Sequence, residues 1–256
     1  MNRVFITGAS SGIGAALARE YAARGATVGL LARRRDALEL LAASLPNPSL
    51  HKVYAVDVTD HAALAAAAAD FIAGGGADIV IANAGLSRGT LTEHAEDLAV
   101  FETVFATNVA ATVATFAPFI ASMKARGGAP TLVGIGSVAG IRGLPGAGAY
   151  SASKAAVLSY CESLRLELKP HGIRVVTIAP GYIDTPMTRH NPYPMPFLMP
   201  AARFAQKAAA AIVAGDSYRV IPWQMGVVAK LLRALPNPVY DLAFVRAPRK
   251  LRASES

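Results

Sequence analysis

Tyr150 and Lys154 stand four residues apart in a stretch with helical patterning, so both side chains project from one face. An unperturbed phenol titrates near 10, too high for efficient general-base work near neutrality, and a neighbouring ammonium stabilises the phenolate and lowers that value. Ser137 follows an aliphatic run over 131–135 and brings a hydroxyl that can hydrogen-bond a carbonyl or alcohol oxygen. A Tyr-x-x-x-Lys pair alone is common and usually structural. Its meaning depends on what lies upstream.

Near the start, a strand-like run ends in Thr7-Gly8-Ala9-Ser10-Ser11-Gly12-Ile13-Gly14 and opens into a helix. That context places backbone N–H groups and the positive end of a helix where a pyrophosphate can sit. Glycine suits the turn because a Cβ would block close approach. The spacing is G-x-x-x-G-x-G rather than the commoner G-x-G-x-x-G, and an ordinary Gly-rich turn is the bland alternative. After the second strand a dinucleotide site needs an acid for a free ribose 2′-hydroxyl or a base for a 2′-phosphate. The run there is Leu31-Ala32-Arg33-Arg34-Arg35. A guanidinium clasps a phosphate in bidentate fashion, so Arg33, with Arg34 beside it, points to NADP(H) over NAD(H). The alternative is a solvated basic loop, with Asp36 capping the next helix.

Short β-branched or aliphatic runs alternate with helical patterns along the whole chain, the signature of βαβ crossovers and a parallel sheet. Strands are expected over 4–7, 27–32, 53–56, 79–82, 131–135, 174–178 and 219–221, most of them apolar on both faces as in a sheet covered on both sides. Helices are expected over 13–24, 36–44, 62–72, 95–107, 109–126 and 150–168. The fold class is therefore α/β, a doubly wound parallel sheet of about seven strands with helices on both faces, in one domain spanning 1–256.

These motifs in this order resemble the short-chain dehydrogenase/reductase family, in its single-domain branch, over nearly the whole chain. Residues 7–14 match its TGxxxGxG loop, and Asn83-Ala84-Gly85 match its NAG motif, with Ala82 in place of the usual preceding Asn. Asp57, followed by Val58, stands where the family places an adenine-contacting acid. Asn108, Ser137, Tyr150 and Lys154 fall on its catalytic positions, and Pro180-Gly181-Tyr182-Ile183-Asp184-Thr185 resembles the PG segment. The resemblance implies a Rossmann-like fold and a nicotinamide cofactor, contacted by Gly8, Ser10, Ser11, Gly12, Ile13, Gly14, Arg33, Arg34, Asp57, Val58, Asn83, Ala84, Gly85, Tyr150, Lys154, Pro180, Gly181, Ile183 and Thr185. It also implies that Tyr150 exchanges a proton with the substrate oxygen, that Lys154 binds the nicotinamide ribose, and that Asn108 holds a water linking Lys154 to solvent. The rival reading is a non-catalytic nucleotide-binding or scaffold protein, which loss of Tyr150 or Lys154 would have favoured.

Residues 186–200 are too proline-rich for a continuous helix and too apolar for a plain solvent loop. In the family this region covers the substrate. Tyr193, Met195, Phe197, Leu198 and Met199 are thus candidates for an apolar lid over a hydrophobic small molecule, with packing on the protein body or a neighbouring subunit as the alternative.

Composition bounds the rest. The chain of 256 residues is 53% hydrophobic and 16% charged, which calls for a large core. Its net charge of +8 is concentrated at the C-terminal end, in Arg219, Lys230, Arg233, Arg246, Arg249, Lys250 and Arg252 against Asp241 and Glu255. No aromatic-interleaved basic stripe points to nucleic acid. The stretch 223–256 reads as an amphipathic helix near 224–235, with Met225, Val228, Leu231, Leu232 and Leu235 on its apolar side and Pro236 and Pro238 ending it, then a basic tail. That tail either docks on the protein's own core or touches an anionic membrane surface. Charged residues interrupt every apolar run short of membrane-spanning length. The single cysteine, Cys161, excludes an internal disulfide and a multi-cysteine metal site and fits the cytoplasm. No metal is expected, and a homo-oligomer, dimer or tetramer, is.

Overall fold

The computed structural model describes residues 2–189, 191 and 193–252. Seven parallel strands form one sheet in the order β3-β2-β1-β4-β5-β6-β9. They are β1 (Arg3–Thr7), β2 (Thr27–Ala32), β3 (Lys52–Ala55), β4 (Ile79–Ala82), β5 (Thr131–Ile135), β6 (Arg174–Pro180) and β9 (Tyr218–Ile221). A short parallel pair, β7 (Ile183–Asp184) and β8 (Met199–Pro200), stands apart. Strand order reverses between β1 and β4, so the crevice beyond their carboxyl ends is where an open α/β sheet accepts a ligand.

Alternation along the strands explains the two layers. Val4 and Ile6 of β1 join a core with α1 (Gly12–Ala23), α2 (Arg35–Ser44) and α7 (Ala201–Ala214). Phe5, between them, points to the other face, where it meets Phe71 of α3 (His61–Ala73) and Phe119 of α5 (Ala111–Arg126) at ring separations of 5.4 and 5.0 Å. α6 (Gly148–Leu168) completes that second layer through Val157, Cys161 and Leu164. Cys161 is thus a core side chain, its thiol pushed up to about 11 by burial.

α4 (Asp97–Phe105) runs through a π-helical turn, Ala106–Ala110, into α5. The resulting rod from Asp97 to Arg126 is long and apolar enough to cross a membrane, against the expectation that charges break every such run. In this fold it is a core helix, with Val104, Asn108, Phe116, Phe119 and Met123 buried.

The last third departs most from expectation. α7 was not among the expected helices; it buries Phe204, Ala208 and Ile212 and exposes Arg203, Gln206 and Lys207. α8 (Trp223–Ala234) forms, but it buries Met225, Gly226 and Ala229, and Leu231, expected on the inner side, is 63% exposed. α8 ends at Ala234, ahead of Pro236 as expected, and a further helix follows. Pro236 caps α9 (Asn237–Phe244), and Pro238 lies in its first turn, where its missing N–H costs nothing. Beyond α9 the chain returns to the body: Gly89 N donates to Leu251 O, Lys250 Nζ to Ser87 Oγ at 2.8 Å, and the Arg252 guanidinium to both Asp97 and Glu96. Residues 253–256 of the expected tail, and His190 and Pro192 of the expected lid, lie outside the described residues.

Candidate active site

The turn between β1 and α1 is held by side chains that carry no reaction. Thr7 Oγ1 accepts from Asn83 N and Ala84 N, and Asn83 Nδ2 donates to Thr7 O and Gly8 O. Asn83 therefore ties the end of β4 to the glycine turn, and its amide donors are spent there. A Cβ on Gly14 would collide with the Gly8 carbonyl and lie 2.6 Å from Asn83 Nδ2, so the turn closes only on glycine. Ser11 caps α1 in an extended conformation without a side-chain bond, which leaves the helix end open to an external anion.

A cleft of about 610 Å³ runs from this turn along the carboxyl ends of the strands. At one end Arg33 and Arg34 are exposed, and Arg34 Nη2 donates to Ser10 Oγ at 3.2 Å. Arg33 lies 3.9 Å from Asp57, whose carboxyl is held below its ordinary value first by the Thr59 backbone N–H and further by the Thr59 hydroxyl and Arg33, burial opposing them. Val58 is buried beside it. Pro180, Gly181, Ile183 and Thr185 line the far wall with Gly8, Gly12 and Ile13 across from them. Gly12 faces Thr185 so closely that a Cβ would come within 3.3 Å.

Ser137, Tyr150 and Lys154 all line the same cleft. Ser137 is extended at the end of β5, and its Oγ accepts from Ala139 N, which fixes the hydroxyl. Burial holds the Tyr150 phenol above its ordinary value, and hydrogen bonding from Ser137 opposes this. Lys154 is 5% exposed, donates from Nζ to the Ile135 carbonyl at 2.8 Å, and is pushed down to about 8 by burial. Desolvation of the phenol outweighs the hydrogen bond from Ser137 here.

Asn108 occupies the π turn and is completely buried. Its Oδ1 accepts from Leu86 N at 2.7 Å, and its Nδ2 donates to Leu86 O and Ser153 Oγ, both at 2.9 Å. Ser153 in turn donates to the Tyr150 carbonyl. The amide is thus a brace between the Ala84-Gly85-Leu86 segment and the Tyr150 helix. These bonds use both amide donors and one of the two lone pairs of Oδ1. Gly85 sits between Asn108 Oδ1 and Lys154 Nζ, where a Cβ would lie 3.4 and 3.6 Å from them.

The expected lid divides. The Tyr193 ring lies tilted against Tyr182 at 6.3 Å, and its phenol, pushed up to about 12 by burial, also feels Tyr150. Met195 Sδ accepts from Asn191. Phe197, Leu198 and Met199 do not cover this cleft; they line a separate groove behind it, and Met199 is buried in β8, paired with Ile183. The apolar pattern of 193–199 could not distinguish the two clefts. Leu86, Arg88, Thr103, Thr107, Met187 and Thr188 also line the cofactor cleft without having been singled out, because none belongs to a spaced motif. Among the described residues no group of His, Cys, Asp and Glu could hold a metal.

Known proteins are similar to the chain in sequence and in shape. Residues 2–194 match the family model of the short chain dehydrogenases. The chain is 38% identical over 243 residues to an uncharacterized oxidoreductase of Myxococcus xanthus, covering 93% of this chain and 94% of that one. A short chain dehydrogenase from Burkholderia cenocepacia, solved in complex with NADP, superposes with a TM-score of 0.80 at 27% identity, over 95% of this chain and 97% of the other. A 3-ketoacyl-(acyl-carrier-protein) reductase from Brucella melitensis, complexed with NADH, gives a TM-score of 0.76 at 25% identity, over 86% and 96%.

Proposed function

The chain belongs to the short chain dehydrogenase family, and on that premise we propose an NADP(H)-dependent oxidoreductase that interconverts a carbonyl and a secondary alcohol on a substrate with hydrophobic bulk. One observation carries the reading: Ser137, Tyr150 and Lys154 share a single cleft with the glycine turn, Arg33 and Arg34.

The donor set suits a dinucleotide phosphate. The uncapped end of α1 would hold a pyrophosphate, and the exposed guanidiniums of Arg33 and Arg34 would bind a 2′-phosphate, with Asp57 already partly offset by Arg33. When bound, NADPH supplies the hydride. Tyr150 donates its proton to the substrate oxygen while Ser137 Oγ hydrogen-bonds the same atom. Burial disfavours the phenolate, with hydrogen bonding from Ser137 opposing it. Lys154 places its ammonium for the ribose hydroxyls, and Asn108 holds the segment at Leu86 that walls the site. Met187 and Tyr193 supply apolar surface beside the reacting groups.

The reading extends to a cytoplasmic enzyme, in keeping with one buried thiol, and to association of copies through exposed Leu98, Phe101 and Val113 on the long α4–α5 rod. A screen of ketones and aldehydes graded by size and polarity, followed by NADPH consumption, tests the function. Turnover that rises with apolar bulk supports it. NADPH binding with no turnover of any carbonyl or alcohol returns the chain to the non-catalytic reading.

A further inference from the structure

Helix α8 is apolar on both sides. Its inner face is Met225, Gly226 and Ala229, and its outer face carries Trp223, 68% exposed, then Val227 and Leu231 one and two turns on. A helix with apolar residues on two faces is ordinarily covered on both, yet nothing among the described residues covers this stripe. The stripe continues across the groove behind the active site, a cavity of about 610 Å³ lined by Phe197, Leu198 and Trp223 together with Arg203 and Lys207. Phe197 and Leu198 are themselves exposed.

The charge left without a carboxylate partner around this surface has one sign. Arg219 in the groove is offset by Asp216 at 2.5 Å. Arg203 and Lys207, one turn apart on α7, and Lys230 within the α8 stripe have no carboxylate partner among the described residues. In the basic tail, Arg252 is paired with Asp97 and Glu96, and Lys250 donates to Ser87.

We propose that the outer face of α8, with Phe197 and Leu198, docks on an anionic phospholipid bilayer, its apolar side chains entering the headgroup boundary while Arg203, Lys207 and Lys230 meet lipid phosphates. The combination of Trp and Leu with flanking cations is what interfacial helices use. A second copy of the chain fits less well, because a two-fold interface on this face would set Arg203, Lys207 and Lys230 against their own counterparts. The surface lies next to β8, which pairs with the Ile183 strand of the active-site wall, so a docked membrane borders the path of an apolar substrate.

Trp223 is the chain's single tryptophan, so its emission reports on this surface alone. Full-length protein is mixed with vesicles of phosphatidylcholine, with or without phosphatidylglycerol, and followed by emission and by co-sedimentation. Anionic vesicles are expected to shift the emission to the blue and to sediment the protein, with neutral vesicles and about 0.5 M salt suppressing both. Arg203→Ala and Lys207→Ala each lower partitioning about five-fold at low salt, Leu231→Asp abolishes it, and Leu40→Asp on exposed α2 leaves it unchanged. Unchanged emission of the wild-type protein with anionic vesicles overturns the proposal. So does a blue shift that follows protein concentration without lipid and sediments as a larger species, which marks an interface between copies. Neither outcome depends on turnover, so the proposed activity stands or falls separately.

Discussion

The Lys154 ammonium lies 6.0 Å from the centre of the Tyr150 ring and donates to the Ile135 carbonyl rather than to the phenol. Both groups are removed from water, and each is pushed toward its neutral form: the phenol upward, the ammonium down to about 8. Before cofactor and substrate enter, the site therefore holds a protonated acid beside a cation that is costly to keep charged.

That cost sets a stability prediction. Lys154 titrates lower in the fold than in the unfolded chain, where 10.5 applies, so the unfolded state binds more protons between pH 8 and 10.5. Stability thus rises with pH through that window, and the penalty is complete below it. Lys154→Met removes a penalty of up to roughly 3 kcal/mol and loses the bond to Ile135, which offsets about 1–3 kcal/mol. Melting at pH 7 is expected to show a variant at least as stable as the wild type, falling behind it by pH 10, and to show no turnover. A variant much less stable at pH 7 would refute the assignment.

The same value shapes catalysis. If carbonyl reduction needs Lys154 charged, kcat/KM is flat below pH 8 and falls roughly ten-fold per pH unit above it. Lys154→Arg, whose guanidinium stays charged, removes the decline over that range while lowering the plateau. A pH–rate profile of both proteins checks this, and an identical inflection in the two would contradict it.

Arg33 is 78% exposed at the side chain and paired only at 3.9 Å with Asp57. Arg33→Ala is expected to weaken NADPH binding about ten-fold or more and leave NADH within about two-fold. Equal affinities of the wild-type protein for both cofactors, measured by fluorescence titration, would rule out this residue as the phosphate contact.

Gly14→Ala places a methyl group against the Gly8 carbonyl and the Asn83 amide inside a helix that otherwise favours alanine. The collision outweighs the propensity gain, so a loss of about 1–3 kcal/mol is expected together with loss of NADPH binding. A thermal melt and a cofactor titration read the two effects independently.

Much of this was legible because parallel strands buried on both faces read as short apolar runs, and all seven sheet strands lie within two residues of where those runs stand. Tyr150, Lys154, Ser137 and the glycine turn were visible because their spacing is local. Asn83 and Asn108 were visible as residues but not as braces, since their partners Gly8, Leu86 and Ser153 lie from 22 to 75 residues away. Phe197 to Met199 were misplaced because apolar character says that a side chain seeks cover and not which cleft supplies it. α7 escaped notice although Arg203, Gln206 and Lys207 mark a polar face opposite Phe204, Ala208 and Ile212, and the tail's return was hidden because Arg252 finds its carboxylates 155 and 156 residues away.

The central claim is that Tyr150 is the proton donor in a reaction whose hydride comes from bound NADPH. Its most direct test is Tyr150→Phe, which keeps the ring and removes one oxygen, assayed for NADPH binding and for turnover of the best carbonyl substrate. The account predicts binding within about two-fold of wild type and a fall in kcat of about 10²–10⁴-fold. Turnover retained within ten-fold of wild type, with binding intact, would contradict it.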